Sequence, residues 1–283
     1  MLRIAIQAKG RLNEESIGLL AEAGVSIEDS KRKLLARSNG FPLEVLYLRD
    51  DDIPQAVSMG VADLGVVGLN EVEEKGFDVE IVHLLGFCKC RLSLAVPKTE
   101  PYDGLSYFEG KRVATSYPVI LSRFFREKGI AAEIHEIAGS VEIAPSVGMA
   151  DAIFDIVSSG GTLVTNGLKE VEQVLFSEAV LIGGRALSDD KRQILSQLLF
   201  RIEAVERSRG LKYVLMNLPH AKIPEAVRIL PGMKSPTILP LAQEGWSSMH
   251  VVINERELWS KIEQLKAIGA EDILVLSLEK MIR

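Results

Sequence analysis

The chain contains 283 residues, of which 47% are hydrophobic and 25% are charged, and its formal net charge is -6. That length predicts two or three small domains rather than a single core. An acidic chain without a basic surface argues against nucleic acid as a partner, so an anionic substrate has to be held by a few placed cations and backbone amides.

The amino terminus predicts a strand, Leu2–Gln7, that leads directly into Lys9 and Arg11. It lacks the apolar stretch and cleavage site of a signal peptide, and no window of the chain resembles a membrane span. Cys88 and Cys90 are the only cysteines, and we expect them to pack as small apolar residues on a strand, since no paired histidines accompany them as zinc ligands. We therefore expect a reduced cytoplasmic protein with no membrane partner and no metal held by these thiols.

Short apolar runs alternate with helical patterns over the first two thirds of the chain. The predicted strands cover residues 2–7, 43–48, 63–68, 80–85, 91–96, 111–116, 133–137 and 151–157. Asn13 is the expected cap of a helix over 14–23, and Pro54 and Gly60 bound a helix over 53–59. This alternation predicts a parallel α/β sheet with right-handed crossovers.

Two boundaries follow from composition. Residues 97–104 are rich in turn formers and mark the edge of an inserted lobe. A long amphipathic helix over 189–208 is followed by a change of character at Gly210. The remaining residues predict the order βαββαβ, which is the ferredoxin-like arrangement.

The segment with the clearest chemistry is an apolar strand that delivers Asp155 near its carboxyl end, followed at once by a Ser/Gly loop. The loop is Ser158-Ser159-Gly160-Gly161-Thr162, and a helix through Val171 is expected after it. Consecutive amides in a glycine-rich turn at a helix start form an anion cradle, and hydroxyls add donors for a phosphate. A carboxylate beside that cradle can accept hydrogen bonds from ribose hydroxyls. Asp151 shares the strand but lies farther back.

Plainer readings remain open for several of these residues. A Ser-Ser-Gly-Gly-Thr run alone is a common turn, and each cation at a strand end can be a solvated surface charge. Asp50, Asp63 and Glu142 are read as cap or turn residues and not as catalytic groups.

Several separate motifs together resemble the long form of the ATP phosphoribosyltransferase family, over nearly the whole chain. Residues 139–163 resemble the family's phosphoribosyl-pyrophosphate signature, and residues 9–12, 49–54 and 60–68 resemble its first three loops. Residues 230–237 and 265–275 resemble its regulatory domain.

The resemblance implies a two-lobed α/β core of periplasmic-binding-protein type with the site in the cleft, and an ACT-like C-terminal domain. The implied first lobe is discontinuous, over 1–96 and 175–210, the second covers 97–174, and the regulatory domain covers 211–283. It also implies a homo-oligomer, from dimers to hexamers.

The implied reaction transfers the 5-phosphoribosyl group from phosphoribosyl pyrophosphate to N1 of ATP, which is the first step of histidine biosynthesis. Asp155 and Asp151 are the expected catalytic carboxylates, and the loop of residues 158–162 is the expected phosphate cradle. Lys9, Arg11 and Arg49 stand on loops at strand ends, where an α/β site is expected, and are the candidates for contacts with ATP and pyrophosphate. The expected cofactor is Mg²⁺, held mainly by substrate oxygens with no dedicated protein ligands.

Histidine is the inhibitor that the resemblance implies. The positions that it places around the effector are Asn217, Ser235, Thr237 and Ala270. The plainer alternative is that Asn217 and Ser235 only terminate strands.

Two further classes compete with an enzyme. Solute receptors and the effector domains of transcription regulators also have two α/β lobes, but neither an export signal nor a helix-turn-helix is present in this sequence. A non-catalytic regulatory subunit of the same pathway is the third alternative, and the intact acidic strand and loop argue against it.

Overall fold

The computed structural model describes residues 1–28 and 34–283. The strands, in chain order, are β1 (Leu2–Gln7), β2 (Ser26–Ile27), β3 (Leu35–Asn39), β4 (Leu43–Leu48), β5 (Leu64–Gly68), β6 (Glu80–Leu84), β7 (Cys90–Pro97), β8 (Arg112–Thr115), β9 (Glu133–Glu136), β10 (Ala152–Val157), β11 (Leu168–Ser177), β12 (Ala179–Gly183), β13 (Leu211–Pro219), β14 (Thr237–Pro240), β15 (Trp246–Asn254) and β16 (Glu271–Ser277). The α-helices are α1 (Arg11–Glu22), α2 (Ile53–Ser58), α3 (Leu69–Lys75), α4 (Pro118–Lys128), α5 (Gly161–Thr165), α6 (Asp189–Ser208), α7 (Ile223–Ile229) and α8 (Glu255–Ala267).

The described chain divides into two compact units. The first contains Met1–Ala21 and Val25–Leu195, and the second contains Glu22–Gly24 and Ser196–Arg283. None of the helices in residues 1–28 and 34–283 is both long and apolar enough to cross a membrane.

The first unit holds two sheets, and each forms the centre of one lobe. One sheet has the order β2-β3-β4-β1-β5-β12-β6 and the other has the order β11-β7-β10-β8-β9. The chain passes from the first sheet to the second between β6 and β7, and returns between β11 and β12. The centre of each sheet is parallel, as β1 pairs with β4 and β5, and β8 pairs with β9 and β10.

The parallel strands are buried because helices cover both faces of such sheets, which favours continuous apolar runs. In β1, Leu2, Ile4 and Ile6 are at most 1% exposed. In the second lobe, Phe108 and Phe154 are fully buried in a core that also contains Phe125 of α4. Each lobe therefore has its own core, and the loops at the carboxyl ends of the parallel strands stay accessible.

The second unit contains a four-stranded antiparallel sheet with the order β14-β15-β13-β16. Numbered within the module, that order is 2-3-1-4, which is the ferredoxin-like arrangement. Helices α7 and α8 cover one face through Ala226, Leu258 and Leu265, which pack against Val214 and Met249. The expected fold class, a two-lobed α/β core with a C-terminal βαββαβ module, is confirmed.

The lobe and domain limits differ from the expected residue numbers. Strand β7 pairs with β10 and β11, so residues 90–97 belong to the second sheet and not to the first lobe, and β11 continues past residue 174. The second unit begins within α6 and not at residue 211. The reason is packing: the Ser208 hydroxyl donates to the carbonyl of Glu279, and the Met281 amide donates to that of Ala204.

Three local predictions are wrong. Helix α1 begins at Arg11, so Asn13 lies inside it and donates from its amide to the Gln7 carbonyl instead of capping. The helix after the Ser/Gly loop ends at Thr165 and not at Val171, because Gly167 takes a left-handed φ of 71° and β11 begins at Leu168. Cys88 also adopts a positive φ of 50° and lies outside the strand that Cys90 begins.

Candidate functional site

Three cations stand at one edge of the first sheet. Because β1 and β4 are parallel, with Gln7 opposite Leu48, the chain leaves both strands on the same side. Lys9 follows β1 and Arg49 follows β4. The Arg49 side chain is 80% exposed and forms an ion pair with Asp51, two residues away, at 3.2 Å.

Arg11 begins α1, and its side chain is two thirds exposed. Its one ion pair among those described is loose, with Nε 3.8 Å from the Glu15 carboxylate one helical turn away. Lys9 is also exposed. The structure therefore groups these cations at one sheet edge and leaves them open to an anionic ligand.

Asp155 lies near the carboxyl end of β10, one residue past the point where β10 pairs with Thr115 of the parallel strand β8. Its side chain is half-buried. Burial raises the pKa of this carboxyl to about 6, against the lowering effect of a hydrogen bond from the Ile156 amide at 2.8 Å, and nearby Glu142 raises the pKa further. A desolvated carboxylate at a loop-lined strand end is a common property of functional sites.

The Ser/Gly loop has the geometry of a tight turn into a helix. Gly160 takes the left-handed φ of 80°, which an L-residue adopts only with strain. The Ser159 hydroxyl accepts from the Gly161 amide at 3.4 Å, and the Gly160 carbonyl accepts from Val164. Ser158, Ser159, Gly161 and Thr162 are exposed, whereas Leu163 is buried and anchors the turn.

Asp151 is not brought to this loop. It precedes the amino end of β10, four residues from Asp155, and forms an ion pair with Arg112, whose Nη2 lies 2.9 Å from Oδ1. Its other oxygen accepts from the Arg112 amide at 3.0 Å, and these hydrogen bonds lower the pKa of the carboxyl. The geometry gives Asp151 a role in joining β8 to β10, so it is left out of the site.

A cavity of about 250 Å³ lies between the two lobes of the first unit. Its lining from the first lobe includes Arg49, Glu71 and Lys75, and its lining from the second includes Ser116 and Tyr117. Loops at the carboxyl ends of parallel strands in both sheets thus meet across one cleft, which is where α/β sheets bind ligands.

Tyr117 and Glu71 are site residues that the sequence analysis missed. The Tyr117 hydroxyl donates to Glu71 Oε1 at 3.0 Å and accepts from the Asn70 amide at 3.2 Å. Burial is the main reason why the pKa of Glu71 and that of Tyr117 are raised. The available signal was Tyr117-Pro118, which follows an apolar strand and starts a helix.

Helix α3, which contains Glu71, and helix α4, which begins after Tyr117, make further contacts between the lobes. The Glu74 carboxylate accepts from the amides of Val119 and Ile120, both at 2.9 Å, at the start of α4. Asn70 pairs with Ser177, whose hydroxyl donates to Asn70 Oδ1 at 2.7 Å. Helix α3 of the first lobe is therefore joined by buried polar contacts to the second lobe.

The four expected effector residues lie in the second unit but not in one cluster. Asn217 is on β13 and its amide donates to Asp272 at 3.2 Å. Thr237 is on β14, and β15 lies between the two strands. Ser235 and Thr237 are exposed, whereas Ala270 is 5% exposed.

A histidine that the sequence analysis did not single out stands between these positions. His250 of β15 is opposite Thr237 in the sheet. Its Nδ1 shares a hydrogen bond with the Tyr213 hydroxyl at 2.8 Å, and its Nε2 shares one with the Ser248 hydroxyl at 3.1 Å. Since Ser248 is opposite Asn217, the polar side chains form a line across the sheet.

Neither the thiols nor the carboxylates form a metal cluster within residues 1–28 and 34–283, where no three His, Cys, Asp or Glu side chains are grouped to hold an ion. Cys88 and Cys90 are free thiols, and burial raises the pKa of both.

Comparison with known proteins agrees with this architecture. The family model for ATP phosphoribosyltransferase matches residues 49–204, and the model for the HisG C-terminal domain matches residues 208–280. The chain is 61% identical over 282 residues to an ATP phosphoribosyltransferase of Bacteroides thetaiotaomicron and to one of Phocaeicola vulgatus, with 100% of both chains covered in each case.

A solved structure also matches. It is described as the ATP phosphoribosyl transferase (HisG:HisZ) complex from Thermotoga maritima, with a TM-score of 0.61 and 29% identity over 72% of this chain and 99% of that chain. The full-length identity to the Bacteroides and Phocaeicola enzymes decides the assignment. The chain is a transferase that belongs to the ATP phosphoribosyltransferase family.

Proposed function

We propose that the chain transfers the 5-phosphoribosyl group from phosphoribosyl pyrophosphate to N1 of ATP and releases pyrophosphate, as the first step of histidine biosynthesis. The observation that carries this proposal is the half-buried carboxyl of Asp155 directly before the exposed Ser/Gly loop, beside a cleft that Arg49 lines. The names of the full-length relatives support ATP as the acceptor.

The chemistry asks the protein for alignment and charge stabilisation. Adenine N1 is unprotonated at neutral pH, so it attacks ribose C1 without a base to remove a proton first. The C1–N1 bond forms as the C1–O bond to pyrophosphate breaks, and pyrophosphate leaves with the electron pair. A transition state of oxocarbenium type gains from an aligned nucleophile and from cations near the leaving group.

The proposed roles follow from the geometry. The amides and hydroxyls of residues 158–162 hold a phosphate of the donor substrate, and Asp155 accepts hydrogen bonds from the ribose hydroxyls. Lys9, Arg11 and Arg49 contact the phosphates of ATP and the pyrophosphate. These three exposed cations supply local positive charge in a chain whose net charge is -6.

Mg²⁺ is the proposed cofactor. The donor set fits an ion that the substrate carries, because Asp155 and nearby Glu142 offer few protein ligands beside the loop and Mg²⁺ prefers phosphate oxygens. When bound, the ion neutralises charge on the departing pyrophosphate.

We also propose that histidine inhibits the enzyme through the C-terminal domain. An amino-acid effector presents an ammonium and a carboxylate. The side chains of Asn217, Ser235 and Thr237 can accept hydrogen bonds from the ammonium and donate hydrogen bonds to the carboxylate, with Ala270 at the pocket wall. Because these residues stand on separate strands, we propose that a second copy of the chain completes the pocket in a homo-oligomer.

The need for ATP is consistent with a cytoplasmic enzyme.

A pyrophosphate-release assay tests the transfer. The purified chain with ATP, phosphoribosyl pyrophosphate and Mg²⁺ should release pyrophosphate, and omission of either substrate should abolish the signal. Release that needs no ATP would indicate a simple hydrolase. Tight binding of one substrate without turnover would favour the receptor or regulatory-subunit alternative.

A further inference from the structure

The guanidinium of Arg91 joins the start of the Ser/Gly loop to a neighbouring strand. Arg91 is the second residue of β7, and its Nη1 donates to the carbonyl of Ser158 at 3.2 Å. Its Nε and Nη2 donate to the two carboxylate oxygens of Glu170, on β11, at 2.6 and 2.5 Å. Only the fork of a guanidinium can make both contacts at once, because an ammonium is a single point of charge.

Glu170 is itself held in place. The hydroxyl of Ser93, which is 1% exposed, donates to Glu170 Oε1 at 2.7 Å. The hydrogen bonds from Arg91 lower the pKa of Glu170, and the same contact raises the pKa of Arg91, so both groups stay charged over the physiological range. The pair is three quarters buried, which limits screening by salt.

This support reaches the proposed catalytic carboxylate. Ser93 is directly opposite Asp155 in the antiparallel pairing of β7 with β10, so the two side chains share one face of the sheet. At the far end of β7, the Lys98 ammonium donates to the carbonyl of Val164 at 3.2 Å. Arg91 of β7 and Lys98, the residue after β7, therefore contact both ends of the segment that contains the loop and α5.

We propose that Arg91, fixed by Glu170, is a positioning residue that sets the path of the phosphate-binding loop. The inference rests on the proposed function of that loop. Because the Ser158 carbonyl is held by Arg91, the peptide planes that follow it keep one orientation, and the loop amides are aimed before the substrate binds.

Arg91→Lys and Glu170→Gln test the role, with Arg123→Lys as the matched control. Arg123 also forms an ion pair within the first unit, to Glu73 at 2.9 Å, but does not contact the loop. For the two test variants, we expect the KM for phosphoribosyl pyrophosphate to rise about ten-fold and the KM for ATP to change less than about two-fold, as for loss of one charge-assisted contact. Arg123→Lys should leave both KM values unchanged.

A charge swap distinguishes a role of Arg91 in positioning the loop from a role in stabilising the fold alone. Arg91→Glu combined with Glu170→Arg restores an ion pair but not the contact with Ser158, so we expect recovery of the melting temperature without recovery of the KM for phosphoribosyl pyrophosphate. Recovery of both would overturn the proposal, and so would equal rises of the two KM values in Arg91→Lys. If the unmodified chain releases no pyrophosphate from the two substrates, the failure lies in the proposed function and not in the role of Arg91.

Discussion

At the scale of single residues, Asp155 carries the proposed chemistry and lowers the stability of the fold. Its half-buried carboxyl accepts one hydrogen bond, from a backbone amide, so the charged form is poorly solvated. Burial of this charge therefore destabilises the folded protein. A bound ligand that brings hydroxyls or a cation to the carboxylate would stabilise its charged form.

The substitution Asp155→Asn tests this role. Loss of a charge-assisted contact to the ribose hydroxyls should lower kcat/KM by about ten-fold or more. Asp151→Asn is the contrasting variant: because Asp151 pairs with Arg112, it should lower the melting temperature. Steady-state kinetics and thermal unfolding of both variants are the measurements. Activity of Asp155→Asn within two-fold of the unmodified enzyme would exclude the proposed role of its carboxylate.

The raised pKa of Asp155 makes a second, pH-dependent prediction. Its folded-state value of about 6 exceeds the ordinary value of 3.8. The contribution of this group to stability is therefore present below pH 3.8 and is lost as pH rises through 6. Asp155→Asn should consequently raise the free energy of unfolding by about 1–2 kcal/mol at pH 8, allowing for partial solvation.

That gain should shrink towards zero near pH 3, below the ordinary value of 3.8, where the carboxyl of the unmodified protein is largely protonated in both states. Urea unfolding at the two pH values measures it. In the same range, kcat/KM for phosphoribosyl pyrophosphate should fall as pH drops below about 6, since the protonated carboxyl loses its charge. A gain in stability that is the same at both pH values would contradict the assigned pKa.

At the scale of elements, the Ser/Gly loop separates two glycines by their geometry. Gly160 needs its positive φ of 80°, whereas Gly161 does not, and a Cβ built there meets only the Ser159 hydroxyl at 3.6 Å. Gly160→Ala should therefore lower stability by about 1 kcal/mol. Gly161→Ala should leave the melting temperature unchanged and raise the KM for phosphoribosyl pyrophosphate by about ten-fold, because a methyl group on the proposed cradle hinders close approach of the phosphate.

The ATP KM of Gly161→Ala is the internal reference. If it rises as much as that of phosphoribosyl pyrophosphate, the loop is general scaffold and not a phosphate cradle.

Neighbouring glutamates of α3 provide a matched pair at the junction of the lobes. Glu74 accepts two amides at the start of α4, as a capping side chain does, whereas Glu73 forms a half-exposed ion pair with Arg123. We expect Glu74→Ala to lower the free energy of unfolding by about 1–2 kcal/mol and Glu73→Ala by about 0.5 kcal/mol or less. Urea unfolding compares the two, and equal losses would contradict the capping role.

The elements also show what the sequence can and cannot predict. Strands β1 and β4 were predicted residue for residue, because a buried parallel strand leaves an uninterrupted apolar run. Strand β11 was missed: its apolar residues are spaced like those of a helix because two bulges shift its register against β7. A bulge is a property of the pairing, which a single strand's sequence does not reveal.

The candidate site divides in the same way. Asp155 and the loop are local in sequence, so their juxtaposition could be predicted. Tyr117 and Glu71 are 46 residues apart and meet only because two lobes close on one cleft. Asp151 shows the opposite error, since its position near Asp155 in sequence concealed an ion pair with a residue of another strand.

At the scale of the whole molecule, the proposed regulation links two compact units that each have their own core. Such a link requires two global states with different affinity for histidine. Asn217→Ala combined with Thr237→Ala should raise the histidine concentration for half inhibition at least about ten-fold, or about 1.4 kcal/mol, with little change in uninhibited turnover. A histidine titration of pyrophosphate release measures this, and unaltered inhibition would place the effector elsewhere.

The central claim is that the ribose is joined to N1 of ATP. The direct measurement uses ATP labelled with ¹⁵N at N1, incubated with phosphoribosyl pyrophosphate, Mg²⁺ and the enzyme, and follows the product by mass spectrometry and nitrogen NMR. We predict a product with the mass of ATP plus one phosphoribosyl group, a large change in the N1 chemical shift, and one pyrophosphate released per product. Recovery of unmodified ATP, or a product whose labelled nitrogen keeps its original shift, would contradict the account.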